Sequence, residues 1–296
     1  MKYMDHCCGI PTHSRGLKFR MKKLGSFWIL SAVALLMFAP QGWVLAQEEE
    51  TSAEVSKEDL VEAESSTCHT TLASGSGSKY LKICISDHGN LMQFESPYGS
   101  GDHIAQEGYA LCSGQYVFGY DSGVYEAGCG NPTISQPNGP NTLPLTITRN
   151  CGCVNFKQVF ARDTAEKDVT ITMTFKNNCG YTIFDALLCR YFDGDMNGDS
   201  RDDIYDRTID TVYARDGGYN GDGLSLTDLS FAASGGFIER YSDWSPDIGG
   251  GAKKCGGLWQ NVYPTALGDY VGRQTYYFGA MASGVSKTVK VVYRRY

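Results

Sequence analysis

The chain has 296 residues, of which 42% are hydrophobic and 20% are charged, so it can bury a core and is neither a short peptide nor a disordered tail. Its formal net charge is −7, although the first 46 residues hold six Lys or Arg residues and a single Asp. Residues 47–296 therefore carry 20 Lys and Arg against 32 Asp and Glu, a net charge of −12. This charge repels phosphate backbones and argues against nucleic-acid binding.

The N-terminal region has the layout of a secretory signal peptide. Lys22 and Lys23 precede an apolar run at residues 27–39. A break follows, and Val44 and Ala46 then place small residues at the −3 and −1 positions of a cleavage site. A basic start, a short apolar middle and a small-residue exit are the three parts of such a signal.

We interpret residues 21–46 as the signal peptide and residues 1–20 as a wrongly assigned leader, with Met21 as the true start. A transmembrane anchor is the alternative, and it needs about 20 apolar residues. The apolar run reaches that length only if the Pro, Gln and Gly at 40–42 are included. The sequence therefore predicts a secreted or cell-surface protein with no stable membrane span after cleavage near Ala46.

Nine cysteines follow the predicted signal peptide, and in an exported protein the default interpretation is disulfides. Nine is odd, so one thiol is free or bonds another chain. Cys151 and Cys153 are separated by one residue and are expected to bond to different partners. The spacing favours two local pairs, Cys68 with Cys84 and Cys112 with Cys129.

Acidic and Gly/Ser-rich sequence precedes the expected folded domain. Residues 47–66 contain eight acidic residues, one lysine and no aromatic residue, and residues 74–78 alternate Ser with Gly. Such sequence buries too little apolar surface to offset the entropy of ordering it. We therefore interpret residues 47–79 as a disordered tether and expect the folded domain at residues 80–296.

From residue 80 onward the dominant hydrophobic period is two, which is typical of β-strands with one buried face. The clearest strand is residues 169–175, where four apolar residues alternate with three threonines. Other predicted elements are a hairpin of 81–85 with 91–94, a strand around Leu145, a return strand at 182–192, and a last hairpin of 276–281 with 288–293.

Turn residues recur throughout, and no stretch holds a 3.6-residue apolar period long enough to predict a helix. The sequence therefore predicts an all-β fold, a single large antiparallel β-sandwich. Two smaller sandwiches divided near residues 135–142 are the competing architecture.

A dense acidic segment supplies the candidate metal site. Five carboxylates lie between Phe192 and Ile204, with Arg201 as the only opposing charge. Crowded like charges are unfavourable without a cation, and hard divalent cations prefer such oxygen ligands. An EF-hand frame starting at Asp193 fails because its twelfth position is Ile204 where Glu belongs. A shorter frame predicts Ca²⁺ bound by Asp195, Asn197, Asp199, the backbone carbonyl of Arg201, and Asp203.

This D-x-N-G-D-x-x-x-D pattern resembles the nine-residue calcium loop of FG-GAP repeats and is similar to dockerin-type loops. The resemblance covers about ten of the 296 residues and implies calcium ligation at the matching positions alone. One loop without repeats argues against a propeller. A solvated acidic turn between two strands remains the alternative, and a second acidic stretch at residues 216–223 is interpreted as a plain turn.

Two other function classes stay open. Aromatic residues concentrate late in the chain, and exposed Trp244 or Trp259 would suit a carbohydrate-binding module. A sugar-active enzyme of sandwich fold would use His103 with the nearby Asp102 and Glu107 for proton transfer. His88 falls in a predicted turn and is expected to have a surface role. Because the common catalytic motifs are missing from the sequence, an enzyme is less favoured than a binding protein.

The strand at 169–175, the acidic segment and the closing Val-Lys-Val-Val-Tyr strand look like those of uncharacterised secreted bacterial β-sandwich proteins. This resemblance implies a fold and no activity. The sequence thus predicts an exported, calcium-binding β-sandwich that acts as an extracellular binding or structural module for a protein or glycan partner. The alternatives are a carbohydrate-binding module with an aromatic face and a sugar-active enzyme.

Overall fold

The computed structural model describes residues 67–114, 116–163, 168–198, 201–218, 222–230, 232, 235–240 and 265–295. All of them belong to one compact unit. The predicted leader and signal peptide at residues 1–46 lie outside this described part. Helix within it is limited to two single 3₁₀ turns, Gly77–Lys79 and Met196–Gly198, so it contains no helix that could cross a bilayer.

Across the described residues, eighteen strands form three antiparallel sheets. In the order of hydrogen-bonded neighbours, the three-stranded sheet is β1 (Cys68–Ser74), β2 (Leu81–Ser86) and β3 (Leu91–Glu95). In the same order, the six-stranded sheet is β15 (Gly235–Arg240), β17 (Tyr270–Met281), β11 (Ile183–Asp193), β4 (Gln106–Ser113), β5 (Tyr116–Asp121) and β6 (Glu126–Ala127). The nine-stranded sheet is β16 (Thr265–Leu267), β12 (Asp203–Arg207), β13 (Thr211–Asp216), β14 (Gly223–Asp228), β18 (Ser286–Arg295), β10 (Asp168–Asn177), β9 (Val154–Asp163), β8 (Leu145–Cys151) and β7 (Thr133–Ser135).

The nine-stranded and six-stranded sheets pack against each other around one hydrophobic core. Aromatic rings make contacts across this interface: Phe118 meets Phe175 at 6.4 Å between ring centroids, and Tyr109 meets Phe156 at 4.6 Å. The three-stranded sheet adds apolar side chains such as Phe94 to the same core. The predicted fold class, an all-β antiparallel sandwich built as one unit, is confirmed.

Strand β10 shows why the alternating pattern succeeds. Val169, Ile171, Met173 and Phe175 are fully buried, whereas the intervening threonines are partly exposed. Successive side chains of a strand point to opposite faces, so a period of two in hydrophobicity records which face packs on the core. The predicted hairpin of β2 with β3 and the strand at β8 are confirmed for the same reason.

Two predicted strand pairings are wrong. The predicted return strand is β11, but it belongs to the six-stranded sheet, and β10 pairs with β9 and β18. Likewise, β17 and β18 are adjacent in sequence but lie in different sheets. Asn177 contacts both of these connections between the sheets. Its Oδ1 accepts from the Cys179 N–H at 2.8 Å in the β10–β11 connection, and its Nδ2 donates to the Met281 carbonyl at 2.7 Å at the end of β17.

The described fold begins earlier than the sequence predicts. Strand β1 lies inside the segment interpreted as a tether, and it pairs along its length with β2. A disulfide between Cys68 and Cys84 joins these two strands. Residues 68–79 therefore belong to the folded domain, while residues 47–66 of the predicted tether lie outside the described part of the chain.

The disulfides only partly follow the predicted pairings. Cys68–Cys84 is confirmed, and the two cysteines of the Cys-Gly-Cys motif do bond to different partners, in Cys129–Cys151 and Cys153–Cys179. The predicted pair Cys112–Cys129 is wrong. Cys112 packs with Ala110 and Leu187 in a cluster separate from the main core, whereas Cys129 packs against that core. Cys112 is disulfide-bonded as well, and Cys189 is a buried free thiol.

Candidate functional site

The predicted calcium loop connects the two large sheets. Strand β11 of the six-stranded sheet ends at Asp193, and β12 of the nine-stranded sheet begins at Asp203. Between them, Asn197 has a φ of 59°, a left-handed conformation that Asn tolerates better than most residues. The Tyr205 hydroxyl holds the start of the loop, since it donates to the Gly194 carbonyl at 2.9 Å and accepts from the Gly194 N–H at 2.8 Å.

The predicted ligands are only partly brought together. Asp203 is fully buried and its Oδ2 accepts from the Met196 N–H at 3.1 Å, whereas Arg201 is exposed. Asp195 is half-buried, and its carbonyl accepts from the Gly198 N–H at 2.9 Å. Asp199, a predicted ligand, lies outside the described residues.

The second acidic stretch, interpreted from sequence as a plain turn, reaches the calcium loop. Asn197 Nδ2 donates to Asp216 Oδ2 at 2.6 Å, so a residue at the end of β13 contacts the loop. Asp222, at the other end of that stretch, instead pairs with Arg295 at 2.8 Å. Asp216 therefore contacts the predicted site, although the nine-residue pattern used to predict the ligands does not include it.

Two buried carboxylates make this loop chemically unusual. Asp193 is 5% exposed and Asp203 is 0% exposed, and in the described part of the chain the Oδ1 atom of each has no hydrogen-bond partner. Burial, followed by the charges of Asp195 and Asp269, raises the pKa of Asp193 to about 8. Burial is also the main cause that raises the pKa of Asp203 to about 8. Buried, unpartnered carboxylate oxygens carry a desolvation cost that a bound cation would offset.

Among the described residues, the loop carboxylates do not provide three oxygen atoms within 4.8 Å of one another. The His, Cys, Asp and Glu side chains there that do meet this distance are His88, Asp121 and Glu126. The described side chains that meet this distance therefore lie outside the acidic loop.

The cluster around His88 is an ion-pair network. His88 Nδ1 lies 3.0 Å from Asp121 Oδ2 and 3.1 Å from Glu126 Oε2, and Arg149 donates to the same two oxygens at 2.7 and 2.6 Å. With His88 protonated, two cations balance two anions. A metal ion would have to displace these bonds, so the arrangement favours a charged histidine over a metal ligand.

The charge on His88 follows from its contacts. Hydrogen bonds to Asp121 and then Glu126 raise the pKa of His88 to about 9 despite its partial burial. Burial raises the pKa of Glu126, but the bonds to His88 and Arg149 outweigh it and lower the pKa to about 2. The predicted surface role of His88 is wrong, because its side chain is only 15% exposed and forms ion pairs with Asp121 and Glu126.

Glu107 belongs to a neighbouring buried network. It is fully buried, forms an ion pair with Arg190, and accepts from the Tyr293 hydroxyl at 2.7 Å and the Leu91 N–H at 2.6 Å. Burial nevertheless raises the pKa of Glu107 to about 7. Arg190 also donates to the Gly89 carbonyl at 3.0 Å, so this network fastens the β2–β3 turn to the sandwich.

The three residues predicted for proton transfer, His103, Asp102 and Glu107, each have different hydrogen-bond partners. His103 is buried, its Nε2 lies 2.8 Å from the Ser96 carbonyl, and its Nδ1 accepts from the Asn197 N–H at 3.4 Å. Burial lowers the pKa of His103. Asp102 accepts backbone N–H groups, and Glu107 pairs with Arg190 in the core. His103, Asp102 and Glu107 therefore have separate structural roles.

The predicted sugar-stacking residues Trp244 and Trp259 lie outside the described residues. A different set of exposed rings gathers near the start of β11, and we call it the aromatic end: Tyr116 (66% exposed), Tyr181 (61%), Phe184 (67%) and Tyr277 (49%). The strand order places Phe184 on β11 and Tyr277 on the adjacent β17. Tyr116 lies on β5 of the same sheet, which β4 separates from β11. A β-bulge at Asp185, whose φ is 50°, bends strand β11 beside these rings.

Comparison with known proteins finds neither a matching family model nor a matching curated protein. Among solved structures, the chain is similar to a bacterial glucoamylase complexed with acarbose, with a TM-score of 0.57 and 9% identity, over 80% of this chain and 33% of that one. It is also similar to a putative aldose 1-epimerase from Escherichia coli K12, with a TM-score of 0.43 and 12% identity, over 77% of this chain and 99% of that one. A polysaccharide lyase gives a TM-score of 0.38 and 8% identity, over 78% and 33%.

At such low identity these similarities show the fold alone, and the two with lower TM-scores add nothing to the first. The chain spans about a third of the length of the glucoamylase. The first similarity therefore shows that this β-sandwich fold is shared with one portion of a larger protein.

Proposed function

We propose that the chain is an exported β-sandwich module that binds carbohydrate. The observation that carries this proposal is the fold similarity to a glucoamylase complexed with acarbose, at a TM-score of 0.57 over 80% of the chain. Because the chain matches 33% of that protein, the proposal extends to sugar recognition and leaves the enzyme's reaction aside.

The aromatic end supports the proposal as the binding surface. Exposed aromatic side chains offer flat, rigid apolar faces with polar edges, which suits the apolar faces of sugar rings. Tyr277 also donates a hydrogen bond to Asp185, so a carboxylate lies beside its ring. A surface with both flat rings and a hydrogen-bonding group can contact both the carbon face and the hydroxyl groups of a sugar.

Binding to a panel of soluble and insoluble polysaccharides tests this proposal. We expect Phe184→Ala and Tyr277→Ala each to weaken binding about 5- to 30-fold, the loss of about 1–2 kcal/mol of contact energy. Tyr98→Ala is the matched control, since Tyr98 is a 70% exposed ring on the loop after β3. Equal losses for all three variants, or no binding by the wild-type chain, would contradict the proposal.

Tryptophan fluorescence separates two locations for the same function. If Trp244 or Trp259 contacts the sugar, bound oligosaccharide should quench or shift their emission. Binding that leaves the emission unchanged and depends on Tyr277 would instead assign recognition to the aromatic end.

Export is the part of the proposal that concerns location. Disulfides persist in oxidising compartments, and Cys129–Cys151 and Cys153–Cys179 support a location outside the cytosol. Mass spectrometry of the secreted protein should find an N-terminus that follows Ala46. Recovery of the protein only inside the cell, with reduced thiols, would contradict export.

Calcium binding by the acidic loop is the second candidate function, favoured by the buried, unpartnered Oδ1 atoms of Asp193 and Asp203. Extracellular calcium modules bind with dissociation constants of about 10⁻⁴ to 10⁻³ M. At about 1 mM Ca²⁺ such a site adds roughly 0.4–1.4 kcal/mol, which corresponds to about 1–5 °C in Tm.

Thermal melting in 1 mM CaCl₂ and in EGTA measures this difference. The double variant Asp195→Ala with Asp199→Ala should abolish it. The control Asp206→Ala, at a half-exposed aspartate in β12, should retain it. Equal melting of the wild-type chain in both solutions would contradict calcium binding.

A further inference from the structure

The acidic loop lies where the chain passes twice between the large sheets. One crossing is the loop from Asp193 in β11 to Asp203 in β12, and the other is the short turn at 268–269 that joins β16 to β17. The Gly268 N–H donates to the Asp203 carbonyl at 2.9 Å, so the two crossings are in contact. We call residues 193–198 and 201–203 together with 267–270 the crossover corner.

Aspartates of both sheets lie at this corner. Asp193 closes a strand of the six-stranded sheet, and Asp203 opens a strand of the nine-stranded sheet. After burial and the charge of Asp195, repulsion by the negative charges of Asp269 and Asp203 also raises the pKa of Asp193. In the part of the chain that the structure describes, Asp193 and Asp203 have unpartnered Oδ1 atoms, and no cationic side chain is among the main influences on the pKa of either.

We propose that a Ca²⁺ ion at the crossover corner binds Asp193 and Asp203 together and thereby clamps the six-stranded sheet to the nine-stranded sheet. Asp269, on the second crossing, supplies a further carboxylate. This inference rests on the proposed calcium binding but changes its ligand set. Asp193 and Asp269 both lie outside the nine-residue frame that the sequence predicts.

Calcium fits this corner better than the smaller divalent cations do. It accepts six to eight oxygen ligands in flexible geometry, whereas Mg²⁺ requires a near-ideal octahedron and keeps several waters. The described carboxylate oxygens do not form a triad within 4.8 Å, so a bound ion has to draw the two crossings inward. If the ion acts as a clamp, calcium binding should therefore reduce the mobility of both crossings.

The clamp predicts opposite effects of one substitution in two solutions. Asp193→Asn and Asp203→Asn each remove a buried negative charge while keeping the size of the side chain. In EGTA, each variant should melt at or above the wild-type Tm, because like-charge repulsion is relieved. In CaCl₂, each should lose the calcium-induced rise in Tm and bind Ca²⁺ at least tenfold more weakly by calorimetry. Asp206→Asn should change neither quantity.

Hydrogen exchange on the full secreted chain, with CaCl₂ or EGTA, locates the effect. The proposal expects calcium to slow exchange in peptides from both crossings, residues 194–203 and 267–270, and expects Asp193→Asn to abolish both changes. Protection confined to 195–203 that survives Asp193→Asn would overturn the clamp while leaving the nine-residue calcium loop intact. No calcium effect on exchange or Tm would overturn calcium binding itself, and none of these results bears on carbohydrate binding.

Discussion

The proton on His88 contributes to stability in a way that pH can reveal. The pKa of His88 is about 9 in the folded protein against an ordinary value of 6.5, which corresponds to at most about 3 kcal/mol. Because Glu126 is 24% exposed and water screens its charge, we expect about 2 kcal/mol. The folded state holds this proton more tightly than the unfolded state does. The contribution is therefore complete below pH 6.5 and is lost as the pH rises through about 9.

Substitution of His88 by Gln removes the proton and so tests this reasoning. Urea denaturation from about pH 6 to about pH 9.5 should show His88→Gln about 2 kcal/mol less stable than wild type at the acidic end, with the gap closing toward the alkaline end. His69→Gln, at an exposed histidine in β1, should stay within about 0.5 kcal/mol of wild type throughout. A gap for His88→Gln that does not change with pH would refute the assignment of a charged histidine.

Three other predictions concern the core, each read from denaturation midpoints. Arg190→Met should cost about 3–5 kcal/mol because it leaves the fully buried Glu107 without its cation. Adding Glu107→Gln should recover more than half of that loss, and no recovery would mean that packing, not charge, dominates. Loss of the Cys129–Cys151 disulfide by double Ala substitution should cost about 3 kcal/mol, because it closes a loop with a sequence separation of 22, and an unchanged midpoint would contradict this. Met173→Ala should cost about 2–5 kcal/mol, because Met173 is fully buried in β10, and a cost below about 1 kcal/mol would show that the core refills the cavity.

The existence of strands was predictable from sequence, but their partners were not. In β10 the alternation of apolar residues and threonines records one buried face, and that information is local. Which strand lies alongside is a non-local property. The pairing of β10 with β18 joins segments more than a hundred residues apart, and neither strand's pattern encodes the other. The same locality explains why β11 and β17 were expected as hairpin partners of their sequence neighbours.

The candidate site was predictable in the same partial way. The charge density of the acidic loop marks it in the sequence, since five carboxylates crowd between Phe192 and Ile204. Asp269 approaches this loop only because the β16–β17 turn folds against it. His88 looked like an ordinary turn residue because Asp121 and Glu126, which raise its pKa, come from later strands.

Strand β18 follows every other described strand in the chain, yet it lies in the middle of the nine-stranded sheet, between β14 and β10. Until β18 has been synthesised, β14 and β10 have no common neighbour, and the sheet exists only as two separate halves. A growing chain on the ribosome therefore cannot complete this sheet early. Deletion of residues 286–295 would remove the strand that joins the halves, so loss of these ten residues should be as damaging to folding as loss of a much larger segment from the edge of the sheet.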